Sequence, residues 1–167
     1  MFNEKHGNAT LRGKYDYSMV KRWHRGVPGK NIFDLKCIYF PANVNENHWT
    51  LTVAFMEEKR IQYYDSYKGK GKGEKYLKGV LQYLKDEHMR QFKKPMDESE
   101  WQLVPCTADT PQQGDGHNCG VFVCLFADFI ALGCHPMFDF NLEHLTKCRK
   151  WIALAILEDC AIDYDSL

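Results

Sequence analysis

Residues 111–132 read PQQGDGHNCGVFVCLFADFIAL, and the change of character inside that stretch decides how the rest of the chain is read. Pro111, Gly114, Asp115, Gly116 and Asn118 are turn formers, through a fixed φ, freedom at positive φ, or a side chain that bonds its own backbone. From Cys119 onward the residues are apolar and run on for about four helical turns. Cys119 sits where loop becomes helix. A thiol at that join faces the unpaired N–H groups of the first turn and the positive end of the helix dipole. Cysteines in such settings have pKa values of roughly 3.5–7.5 in place of about 8.5, and the thiolate is the nucleophile of covalent catalysis. The plain reading is that Cys119 is a buried helix residue, like Cys124 further along the same helix. The glycines before Cys119 and Gly120 after it favour the reactive reading, because residues without side chains let a substrate backbone approach the sulfur.

Length and composition fit one domain over residues 1–167 with a sizeable core: 44% of the residues are hydrophobic and 14% aromatic. The 22 basic and 22 acidic residues cancel, so no net field recruits nucleic acid or a membrane surface. Seven cysteines are an odd number, and they are scattered without a C-x-x-C pair. That spacing argues against a disulfide framework and against a zinc site; no metal and no cofactor is expected. Free thiols point to a reducing compartment, and the polar start MFNEKHGNATLRGKYDY is not a signal peptide. The apolar run from Gly120 to Leu132 contains Asp128 and falls short of the roughly 20 residues that span a bilayer. An intracellular protein of nucleus or cytoplasm is expected.

Working outward, residues 1–14 are polar and expected to be loose, and Tyr15 to Arg25 has helical character. Ile32 to Phe40 reads as a strand ending at Pro41, Asn43 to Asn47 as a polar turn, and Trp49 to Phe55 (WTLTVAF) as an alternating strand. Glu57 to Lys59 is a short turn leading to a further strand, Arg60 to Tyr64, so the last two strands form a hairpin. The run YKGKGKGEK, residues 67–75, matches no phosphate-binding loop. It reads as a solvated loop, with a nuclear localisation patch as the alternative. Glu74 to Phe92 is an amphipathic helix, Trp101 to Cys106 a strand with Pro105 at its end or edge, and Leu142 to Leu157 a last helix. Gly133 is expected to cap the central helix. The order gives an α+β fold with a central, mostly antiparallel sheet flanked by helices.

A cysteine nucleophile needs a base, and histidine suits best near neutral pH. Of the seven histidines, His48 ends a turn and opens a strand, where a rigid element can hold it. Asp65 ends the partner strand of the hairpin, so the two lie at the same end of the sheet. Asp65 can accept one imidazole N–H and stabilise the imidazolium. Singly, each has a plain reading as a turn residue. With Cys119 they make a nucleophile, a base and an orienting group. Gln112 and Gln113 are both placed to offer an amide N–H to an oxyanion, beside the backbone N–H of Cys119.

His48-Trp49 opening a strand, Tyr64-Asp65-Ser66 after the next, and Pro111-Gln112-Gln113 followed by Gly116-x-x-Cys119-Gly120-Val121-Phe122 resemble the SUMO-specific (sentrin/Ulp-type) cysteine proteases, which have a papain-like fold. The likeness runs from about Val20 to the last helix, with His, Asp, Gln and Cys in matching order. It implies that Cys119 attacks the carbonyl after a Gly-Gly tail, with His48 as general base and then acid, and Asp65 as orienting group. Gln113 would complete the oxyanion hole, and Trp49 would lie over the diglycine in a tunnel too thin for side chains. A plain core residue is the alternative for Trp49. The implied partner is a SUMO-like or other ubiquitin-like modifier, free or lysine-linked.

Two departures stand out. The usual N-terminal segment with a Trp-Leu-acidic stretch is missing before Met1-Phe2, which implies a shortened domain or a rebuilt modifier surface; Trp23 belongs to a different position. His117-Asn118 stand where Ser-Asp is common, which changes the local charge. The leading expectation is therefore a thiol isopeptidase that matures or removes a SUMO-like modifier. The alternatives are the same mechanism on ubiquitin or another such modifier, an acyltransferase, and a non-catalytic modifier-binding module.

Overall fold

The structure, a computed structural model, describes residues 10–11, 14–67, 73–138 and 142–159. A four-stranded sheet organises it: β3 (Cys37–Val44), β4 (His48–Phe55), β5 (Arg60–Tyr64) and β6 (Gln102–Val104), in that order across the sheet. β3, β4 and β5 are antiparallel neighbours, and β6 lies parallel to β5. The parallel pair requires a crossover, supplied by helix α2 (Glu74–Phe92). The sheet is thus mixed, mostly antiparallel, and the fold is α+β as expected.

The pleat sends alternate residues to opposite faces. Ala54, Ile61 and Tyr63 join Tyr76, Leu77, Val80, Tyr83 and Leu84 of α2 in one core. Leu51, Val53, Phe55 and Tyr64 join Val121, Phe122, Leu125 and Phe126 in the other. The latter belong to helix α3 (Cys119–Ala131), which packs with α4 (Leu142–Glu158) through Leu145 and Cys148. Phe122 and Phe126 are all but sealed from solvent, at 1% and 0% exposure; truncating either to alanine would cost about 3–5 kcal/mol. α3 therefore has its apolar length fixed against the sheet, which leaves its N-terminus as a rigid mount. Its other end closes as the sequence indicates. Gly133 at φ +76° lets its N–H reach the Ile130 carbonyl (3.0 Å) while Cys134 N–H reaches Phe129 (2.9 Å).

Three expectations need correction. The helix over Tyr15–Arg25 is only one turn, α1 (Tyr17–Val20), followed by a 3-10 turn at Trp23–Gly26. The ring contacts of Trp23 with Phe40 and Tyr83, at 6.1 and 5.4 Å, hold this segment, and Gly26 and Pro28 stop it from extending. The strand placed at Ile32–Phe40 begins at Cys37 and runs on through Pro41 to Val44, while Ile32–Asp34 is a 3-10 turn capped by Asn31. Proline is tolerated at Pro41 because β3 is an edge strand, where a missing N–H leaves no ladder bond unmade. Thirdly, within the stretch 1–14, Thr10–Leu11 (β1) pairs with Lys14–Tyr15 (β2). The rest of that stretch, and residues 68–72 of the Gly/Lys-rich run, lie outside the described residues.

Tyr17 and Glu87 tie the N-terminal part to α2. The Tyr17 hydroxyl donates to Glu87 Oε1 at 2.6 Å, and Arg90 pairs with Oε2 at 2.8 Å. Glu87 is fully buried, so its charge depends on these partners.

Candidate active site

β4 begins at His48 and β5 ends at Tyr64, with the register Leu51↔Tyr64. That register brings His48 and Asp65 to one end of the sheet, and His48 Nε2 lies 2.7 Å from Asp65 Oδ1. Both are buried, at 8% and 3% exposure. A carboxylate accepts only, so Nε2 carries the proton and Nδ1 keeps the lone pair, the state a general base needs. Asp65 is held from several sides. The Tyr67 N–H donates to Oδ1 at 2.9 Å and the Tyr63 hydroxyl to Oδ2 at 3.4 Å. Burial, together with the Asp65 charge, raises the Tyr63 phenol and keeps it protonated as a donor. The Tyr67 ring meets the His48 imidazole edge to face at 5.9 Å.

Cys119 is the first residue of α3 and is 6% exposed. Asn118 precedes it, and its side chain makes no capping bond to the first turn. The leading N–H groups of α3 are therefore not taken up by that side chain and can serve a thiolate or an oxyanion. Trp49 joins the two halves of the site: its Cδ1 lies 3.8 Å from where a Cβ on Gly120 would stand. The residues after His48 and Cys119 thus lie near each other across the α3–β4 interface. Among the described residues no hydrogen bond links Cys119 Sγ to His48; such contacts in ligand-free enzymes commonly close only on substrate binding.

The two glutamines, equivalent in the sequence, have different surroundings. Gln112 Nε2 donates to the carbonyls of Asp65 (3.0 Å), Thr110 (2.9 Å) and Pro111 (3.3 Å). Its amide knots the loop onto the end of β5. Gln113 Nε2 donates to the Asp115 carbonyl at 2.6 Å, while Ser66 Oγ donates to Gln113 Oε1 at 2.7 Å and Gln113 N–H to the Ser66 carbonyl at 2.7 Å. One N–H of Gln113 remains for a ligand, with the amide face fixed by Ser66. The loop before Cys119 is thereby sewn to the residue that follows Asp65.

Asp115 and Asn118, which the sequence offers as turn formers, and Arg149, which it does not single out, complete the site. Asp115 Oδ1 accepts the N–H groups of His117 (2.8 Å) and Asn118 (2.9 Å), and Oδ2 accepts Asn118 Nδ2 at 2.6 Å. Burial pushes its carboxyl upward, but these bonds outweigh that and hold it below the ordinary aspartate range. Asn118 Oδ1 in turn accepts two bonds from Arg149 of α4. The turn expected at Asp115 and Asn118 is thus made by the Asp115 carboxylate. Nothing local in the sequence points to Arg149. Among the described residues no three His, Cys, Asp or Glu side chains are grouped to hold a metal, and no helix is long and apolar enough to cross a membrane. Cys37, Cys106, Cys119, Cys124, Cys134 and Cys148 are free thiols.

The chain as a whole is similar to known proteins. Residues 2–163 match the Ulp1 protease family, C-terminal catalytic domain. The chain is 35% identical over 118 residues to sentrin-specific protease 2 of Homo sapiens, covering 69% of this chain and 19% of that protein. Against ubiquitin-like-specific protease 1A of Arabidopsis thaliana it is 32% identical over 145 residues, covering 86% of this chain and 28% of the relative. Among solved structures, the C-terminal Ulp1 protease domain in complex with Smt3, the yeast ortholog of SUMO, superposes with a TM-score of 0.68 at 28% identity. That match covers 88% of this chain and 63% of the other. The chain thus spans less than a third of the length of these curated relatives.

Proposed function

The chain belongs to the Ulp1 protease family, and on that footing we propose that it is a thiol isopeptidase cleaving after the C-terminal Gly-Gly of a SUMO-like modifier, from a precursor or from a lysine side chain. The observation that carries the reading is the buried His48–Asp65 pair, 2.7 Å apart, at the sheet end where Trp49 lies beside Gly120. The solved relative holding a SUMO ortholog supports the choice of modifier.

The residues divide the work as follows. His48 Nδ1 takes the proton of Cys119, and the sulfur adds to the carbonyl carbon of the terminal glycine. The C=O pair moves onto oxygen, where the Cys119 N–H and the free N–H of Gln113 meet the developing charge. Collapse of this intermediate expels the amine, which takes its proton from His48, and leaves a thioester. Water, deprotonated by His48, adds to the thioester; release of the thiol frees the modifier carboxylate. Asp65 holds the imidazole and balances its charge throughout. Trp49, half-buried above Gly120, covers the diglycine, and a side chain there would collide with its ring. The reading calls for no cofactor, and places the enzyme in the nucleus or cytoplasm, where such conjugates occur.

The test is a SUMO–reporter fusion alongside its ubiquitin counterpart. The reading expects cleavage of the first and little of the second, with both lost in Cys119→Ala while binding persists. Preference for ubiquitin would move the assignment to another modifier. Transfer of an acyl group to lysine would make it an acyltransferase. Binding without turnover would make it a recognition module.

A further inference from the structure

Asn118, directly before the nucleophile, is 3% exposed, and its polar atoms are engaged. Its N–H and Nδ2 go to Asp115, at 2.9 and 2.6 Å. Its backbone carbonyl accepts the Phe122 N–H at 3.1 Å. Its Oδ1 accepts Arg149 Nε at 2.9 Å and Nη2 at 2.7 Å, and the same Nη2 donates to the His117 carbonyl at 2.9 Å. Arg149 lies on α4, which the packing of Leu145 and Cys148 fixes against α3. A planar guanidinium with its donors in a rigid fork constrains the direction of its acceptors as well as their distance.

Two consequences follow for the site. The Asn118 side chain is drawn toward Asp115 and Arg149, so it does not cap α3, and the first-turn N–H groups stay directed at the reacting atoms. The carbonyl of Asp115, which opens the same turn, accepts Gln113 Nε2 at 2.6 Å, so the turn that presents Cys119 also sets the Gln113 amide. We infer that Arg149 is a positioning residue for the nucleophile, acting through Asn118 and Asp115 to fix both donors to the oxyanion. This inference rests on the reading of Cys119 as the nucleophile. Asp115, Asn118 and Arg149 form a sequence of anion, neutral amide and cation. The network therefore depends on the order of charge and would accept one specific exchange: a carboxylate at 118, bonded directly to Arg149, and an amide at 115.

The experiment compares Arg149→Met, Asn118→Asp and the double variant Asp115→Asn/Asn118→Asp with the unaltered chain. The readouts are kcat and KM on a SUMO–reporter fusion, thermal unfolding, and the rate of iodoacetamide labelling read on the Cys119 peptide. Arg149→Met is expected to unfold at nearly the same temperature, to lose kcat about ten- to a hundredfold at little-changed KM, and to label more slowly. Asn118→Asp sets two carboxylates against each other and should fall as far. The double variant should recover most of the kcat. Unchanged kcat and labelling in Arg149→Met, or a double variant no better than Asn118→Asp, would overturn the inference. If the unaltered chain cleaves no modifier fusion, the proposed function fails instead, and the labelling comparison alone decides the role of Arg149 by the same two outcomes.

Discussion

His48 Nε2 and Asp65 Oδ1 stand 2.7 Å apart although 17 residues separate them in the chain. The link is made by a hairpin whose register places the first residue of one strand beside the first residue after the other. An aspartate at this point does more than neutralise: it fixes which ring nitrogen bears the proton. Asn at 65 could present an amide N–H to Nε2 and so move the proton to Nδ1, the nitrogen needed as base. Asp65→Asn should therefore reduce kcat about 10²–10⁴-fold with KM little affected. Steady-state kinetics on a modifier fusion checks this, and a loss confined to KM would argue against the tautomer role.

Gln112 and Gln113 should separate by experiment as they do by contact. In the proposed mechanism Gln113→Ala removes an N–H that meets the oxyanion, and it should lower turnover about 10²–10³-fold. Gln112→Ala frees three backbone carbonyls, that of Asp65 among them. It should act mainly on stability, by about 1–3 kcal/mol. Paired turnover and denaturant-unfolding measurements distinguish the two; equal kinetic losses would show that the loop, and not the amide, matters.

Gly73 sits at φ +73°, and a Cβ there would lie 2.2 Å from the Tyr63 ring. Tyr63 is buried, stacks on Tyr76 at 5.7 Å, and donates to Asp65 Oδ2. Gly73→Ala adds the penalty of a left-handed backbone to displacement of that ring. We expect destabilisation greater than about 1 kcal/mol and a fall in kcat transmitted through Asp65. A variant with unchanged melting temperature would mean that α2 can shift freely at its start.

Acid should loosen the turn before Cys119. The Asp115 carboxyl is held below its ordinary value by bonds from His117 and Asn118. Its contribution to stability is thus fully present above the unfolded value, about 3.9. It is lost as the pH falls through the lower folded value. Asp115→Asn should then narrow the stability difference from the unaltered chain below about pH 4. Thermal unfolding across pH 2.5–7, roughly spanning both values, tests it; a gap that stays constant through this range would remove Asp115 from the turn's stability.

Much of this molecule follows from local pattern. The period of apolar residues marks α2 with the bounds observed, Glu74 to Phe92. The Gly-rich approach and apolar run mark the start of α3 at Cys119, and the short Glu57–Lys59 connection marks the hairpin that unites His48 with Asp65. These are determined within a few residues of chain, where backbone sterics and side-chain spacing act. Other features depend on contacts between distant segments. The shortened N-terminal helix answers to Trp23 packing on Phe40 and Tyr83. Pro41 is accepted within β3 only because that strand is an edge. The difference between Gln112 and Gln113 arises from Ser66 and the Asp65 carbonyl, 47 residues away, and Arg149 reaches the turn before Cys119 only because α4 packs on α3. A hydrogen bond has reach and direction but no memory of sequence distance. Which of two identical amides is left free was therefore settled by the tertiary structure alone.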